Sequence, residues 1–125
     1  MIDHAMSSHL MGVDTSHNLA FVYDVKPNQN HRALIMCFRT PARILTIDGM
    51  QETRSGDCII QDPAFRYYHT SVPEARQGFR NDWLHADHST TKAIMNKLKL
   101  PWNKLIQTER PDILSRHITS FQAEL

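Results

Sequence analysis

Residues 44–69 read ILTIDGMQETRSGDCIIQDPAFRYYH. Short apolar and aromatic runs alternate here with Asp48-Gly49, Ser55-Gly56-Asp57 and Asp62-Pro63. Asp-Gly between two such runs is a strong hairpin signal, because the glycine reaches the positive φ that a tight strand connection requires. Each strand is too short to bury much surface alone, so turns this frequent imply an antiparallel sandwich or barrel.

The same texture extends outward. Residues 19–25 alternate, with Leu19, Phe21, Tyr23 and Val25 on one side, and residues 27–30 turn the chain at Pro27-Asn28. Residues 31–39 are apolar on both faces. Ala33, Ile35, Cys37 and Arg39 share one, and Leu34, Met36 and Phe38 the other, as in a strand covered on both sides. Residues 42–48, 50–54, 57–61, 65–70 and 78–86 read as further strands, so the first two thirds of the chain are expected to be all-β.

The pattern changes after His88. Ser89 or Thr90 is suited to cap a helix reaching Leu98, with Ile94, Met95 and Leu98 as its apolar stripe, before Pro101 stops it. A second helix is expected from Pro111, with Leu114, Ile118, Phe121 and Leu125 at helical spacing. Three segments follow: an N-terminal arm over residues 1–18, a β-barrel over residues 19–88, and C-terminal helices over residues 89–125. The unfinished pattern at Leu125 suggests a chain cut from something longer.

The chain has 125 residues and a formal charge of +1, enough for one real core and too little basic surface to grip nucleic acid by phosphate contacts. No stretch is long and apolar enough to span a bilayer, and no charged-then-apolar leader opens the chain, so a cytoplasmic protein without membrane contact is expected. Cys37 and Cys58 lie in apolar segments. A disulfide and two buried thiols both fit the sequence, and a reducing cytosol favours the thiols.

Alternation sorts candidate site residues by face. Phe65, Tyr67 and His69 point one way, and Phe79, Asn81, Trp83 and His85 share a side. If the faces carrying Arg39, His69 and Trp83 all turn inward, the barrel is lined by aromatic walls and a few hydrogen-bonding groups, the usual make-up of a small-molecule pocket. The plainer alternative keeps Tyr67 and Trp83 as core and lets Arg39 and His69 reach the surface. Metal chemistry has little support. No His-x-His pair occurs, His85-Ala86-Asp87-His88 sits at a strand-to-helix junction, and His4, His9 and His17 are scattered. Cysteines within apolar strands make poor nucleophiles, and neither a Gly-x-Ser-x-Gly elbow nor a Gly-rich phosphate loop is present. No enzyme, no cofactor and no metal ligand is expected.

Several features in order carry a family resemblance: the strand ending in Arg39, the GDCIIQDP segment, the strand ending in Tyr68-His69, the Pro73-Glu74-Ala75-Arg76 loop, Trp83 on the next strand, and LKLPWNKLI after a short helix. Together they resemble the N-terminal effector-binding domain of AraC-type transcription regulators. The resemblance implies a mainly β, cupin-like jelly-roll barrel (a double-stranded β-helix) followed by C-terminal α-helices. It also implies a homodimer that senses a small-molecule effector, often a sugar, with Arg39, Tyr67, His69, Asn81 and Trp83 facing it. In such regulators an N-terminal arm folds over the effector, and DNA is bound through a separate C-terminal helix-turn-helix domain that this chain lacks. Two other readings stand beside it: a metal-dependent cupin enzyme, and an oligomerisation module without a ligand.

Overall fold

A computed structural model of the chain describes residues 10–28 and 32–108, together with Asp112, Arg116 and Thr119. Along the described residues run, in order, β1 (Met11–His17), β2 (Val22–Val25), β3 (Arg32–Phe38), β4 (Ala42–Thr46), β5 (Gly49–Glu52), β6 (Asp57–Gln61), β7 (Tyr67–Ser71), β8 (Phe79–Asp87), α1 (His88–Leu98) and β9 (Ile106–Gln107). Pairing is antiparallel throughout, in a sheet of order β1-β8-β3-β6-β9 and a second of order β2-β7-β4-β5. The described chain is thus mainly β, with its core between the two sheets.

The stretch that decides the fold behaves as its turns dictate. Residues 47 and 48 turn β4 into β5, and Gly49 follows at φ 102° with open space around its α-carbon, so backbone conformation alone demands glycine there. The core consists of Leu34, Met36, Phe38, Ala42, Ile44, Ile59, Tyr67 and Phe79. Leu34, Met36 and Phe38 therefore form the inner face of β3, and the register of β3 with β8 puts Ala33, Ile35, Cys37 and Asp82 on the outer face. Two apolar faces on one strand read alike in sequence. The bulkier set fills the space between the sheets.

Three expectations are revised. Met11–His17, assigned to the arm, is a strand hydrogen-bonded along β8, while residues 1–9 lie outside the described residues. Its alternation is hidden by a bulge between Gly12 and Thr15, where Asp14 takes φ 47°. The cap of α1 is Asp87, whose carboxylate accepts from the Thr90 N–H (2.9 Å) and from the Ser89 and Thr90 hydroxyls (2.8 Å each). Of the expected stripe only Met95 is buried; Ile94 and Leu98 are 51% and 58% exposed, because the helix meets the sheet through Thr91 and Met95. The helix ends before Pro101, at Lys99 in the left-handed region, whose N–H donates to the Met95 carbonyl.

The second expected helix, with Leu114, Ile118, Phe121 and Leu125, falls largely on residues outside those described; within it, the Arg116 N–H donates to the Asp112 carbonyl at 3.0 Å. The segment after α1 adds β9 to the edge of β6. It is pinned by the buried Asn103, which donates its N–H to Ile60 O (2.8 Å), accepts from Ile47 N–H on its carbonyl (2.8 Å), and accepts from Asp62 N–H on Oδ1 (3.0 Å). Cys37 and Cys58 face each other across β3 and β6 as free thiols.

Candidate functional site

A cavity of about 430 Å³ lies between the sheets, lined by His17, Phe21, Tyr23, Leu34, Met36, His69, Asn81, Trp83 and His85. Each side chain arrives by alternation from a strand or strand end. Leu34 and Met36 come from β3, His69 from β7, and Asn81, Trp83 and His85 from β8. The register sets Trp83 opposite Met36, His85 opposite Leu34, and Tyr23 opposite His69.

Ring-to-ring contacts run along the wall. The His69 ring stacks on Tyr23 (centroids 5.0 Å apart) and meets Phe21, Phe38 and Phe79 at 5.6, 6.5 and 6.0 Å. His17 lies 4.1 Å from Phe21 and 4.7 Å from Phe79. Trp83 meets His85 edge-on at 5.7 Å, and its indole N–H donates to Thr15 Oγ1 at 3.1 Å. Gly12 makes that position available, since a Cβ there would collide with the Trp83 ring.

Burial sets the protonation of the site. His69 is 4% exposed, and desolvation, assisted by the nearby His17, lowers its pKa from the ordinary 6.5 to about 3. Burial lowers His17 as well, partly offset by the hydrogen bond between its Nε2 and Asn81 Oδ1 (3.0 Å). His85 is lowered by burial and then by Arg32. All three rings are neutral at pH 7. Nδ1 of His69 is buried without a hydrogen-bond partner.

Of the residues singled out from sequence, His69, Asn81 and Trp83 meet at this cavity. Arg39 and Tyr67 do not line it. Arg39 lies on the outer side of the first sheet, where its guanidinium donates to both Asp82 carboxylate oxygens (3.1–3.2 Å). Assigning its face inward on β3 chose the wrong one of two apolar faces. Tyr67 is a core residue whose hydroxyl lies 2.8 Å from Arg32 O and 3.1 Å from Gln61 O.

The lining also includes His17, Phe21, Tyr23, Leu34, Met36 and His85. Phe21, Tyr23 and His85 carried a readable signal, since they share faces with residues already sorted; His17 was obscured by the bulge in β1. The His85-Ala86-Asp87-His88 run is divided by the fold. His85 lines the cavity, Asp87 caps α1, and His88 packs edge-on against Trp102 at 5.8 Å. Among the described residues, no three His, Cys, Asp or Glu side chains gather as metal ligands would, and no helix is long and apolar enough to cross a membrane.

No family model and no curated protein matches the chain. Among solved structures, the crystal structure of the AraC-like transcriptional activator CuxR is similar, with a TM-score of 0.56 at 14% identity. The match covers 83% of this chain and 39% of that one, so the chain spans about two fifths of that protein's length. At this identity the likeness is one of fold.

Proposed function

We propose that the chain is the effector-sensing part of an AraC-type transcription regulator, taking a small molecule into the cavity between its sheets. The observation that carries this reading is the cavity itself: neutral, walled by aromatic rings, and within the size range of small-molecule sites. The likeness to an AraC-like activator supports a regulatory role. The strand orders β1-β8-β3-β6 and β2-β7-β4-β5 support a jelly roll, in which successive strands pass between two four-stranded sheets. His69, Asn81 and Trp83 are the proposed ligand contacts. In this reading two copies associate, and DNA is bound by a part of the regulator outside this chain. The effector acts by favouring one arrangement of the dimer over another. The role is sensing, without catalysis.

A thermal-shift screen of the chain against small metabolites, sugars and sugar acids included, tests the reading. A ligand at a hundred times its Kd adds about 2.7 kcal/mol, a rise on the order of 10 °C for a domain of this size. That rise should disappear in Met36→Trp, which fills the cavity. A screen without any saturable stabiliser would leave the oligomerisation module as the better reading.

A further inference from the structure

The residues lining the cavity also constrain what can enter it. Among the nine described residues of the lining are no Lys, Arg, Asp or Glu. Arg32, at the start of β3, acts on His85 electrostatically, but it is exposed and has a partner of its own, while Arg39 and Asp82 sit on the far side of the sheet and bond to each other. An anion or cation placed here would lose its hydration without meeting a counter-charge in the wall itself. The three histidines, neutral at pH 7, supply none.

Most polar atoms of the lining are already engaged. His17 pairs with Asn81, the Asn81 amide nitrogen lies 3.6 Å from the Met36 sulfur, and the Trp83 N–H is given to Thr15. Tyr23 and His85 have partners of their own. A polyol, with a hydroxyl on nearly every carbon, would bury more donors and acceptors than this wall can satisfy, and each unpaired group opposes binding. His69 differs: its ring lines the cavity while Nδ1 lacks a partner. Phe21, Tyr23 and Trp83 offer surface for offset stacking.

We infer that the cavity accepts an uncharged, largely apolar molecule with a flat ring and one hydrogen-bonding group, which pairs with the His69 ring. This rests on the reading of the cavity as a ligand site, and it sets aside sugars and sugar acids as occupants.

Three probes separate the classes by calorimetric titration of the chain: 2-naphthalenemethanol, 2-naphthoate and arabinose. The first two share a ring system and differ in charge; the third is a neutral polyol. The alcohol is expected to bind saturably and roughly tenfold or more tighter than the carboxylate, with no saturable binding of arabinose. Trp83→Leu should weaken the alcohol, His69→Phe should weaken it about five- to tenfold, and His69→Gln, which keeps a hydrogen-bonding group, should lose less. Arabinose or 2-naphthoate binding as tightly as the alcohol, and sensitive to Trp83→Leu, would overturn the ligand class while the cavity reading stands. Alcohol binding indifferent to both Trp83 and His69 would overturn the assignment of the site. If none of the probes binds while the metabolite screen yields a ligand, the class is wrong; if both are blank, the cavity reading fails with it.

Discussion

Arg39 holds the buried carboxylate of Asp82 from the outer side of β8, donating from Nε and one terminal nitrogen at 3.1–3.2 Å. Asp82 is 0% exposed and also accepts the Asp14 N–H at 2.7 Å, so the pair stabilises the bulge in β1. The bulge in turn sets Gly12 and Thr15 around the Trp83 ring. Arg39→Ala leaves the carboxylate with fewer partners; because the arginine side chain is about one third exposed, the expected cost is about 2 kcal/mol rather than that of a fully buried pair. Urea denaturation measures it. An Arg39→Ala protein of unchanged stability that no longer bound a cavity ligand would return Arg39 to the ligand site.

His69 gives stability a pH dependence. Its pKa is about 3 in the folded chain and 6.5 when unfolded, so between those values the unfolded chain binds a proton that the folded chain refuses. The contribution is fully present above pH 6.5 and is lost as pH falls towards 3. From pH 7.5 to 5 the loss is roughly 2 kcal/mol for this residue. His17 and His85, both lowered, act in the same direction. Urea midpoints across this range should fall with pH, and His69→Phe should flatten the slope. Equal slopes in the two proteins would mean that His69 is not buried as a neutral ring.

Gly12 tests the seating of Trp83. Alanine there must displace the ring, breaking its hydrogen bond to Thr15, with an expected cost of about 1–3 kcal/mol from overpacking. In a Trp102→Phe background, fluorescence reports Trp83 alone, and a red shift in Gly12→Ala is the expected result. An unshifted spectrum at unchanged stability would refute the close approach.

The central strands were legible because period-2 alternation and Gly or Pro turns act locally. The hairpin at Asp48-Gly49, the inward His69 and the shared face of Asn81 and Trp83 all followed from it. What escaped depends on long-range partners. In β3 both faces are apolar, and only pairing with β8 and the second sheet decides that Leu34 and Met36 turn inward and Arg39 outward. The bulge in β1 breaks the alternation that would have included His17. β9 has two residues and exists only because β6 offers it an edge. The helix cap moved to Asp87 because β8 runs directly into α1.

Gln61 is buried on the inner face of β6, opposite Leu34, and both its amide atoms lack hydrogen-bond partners. Methionine has nearly the same shape without the unsatisfied groups. Gln61→Met should therefore raise stability by about 1–3 kcal/mol, read as a higher melting temperature. A lower melting temperature would indicate that the amide has a role in the core that packing alone does not explain.

Asn103 sets a practical limit on dissecting this chain. Three backbone groups, from the turn after β4, the end of β6 and the residue beyond it, have their partner in this one amide residue. Fragments trimmed to the central strands, or stopped at the end of α1, would strip those groups of their partner and remove an edge of the larger sheet. Material for ligand work is best kept from Met11 through Gln107, whatever is appended to either end.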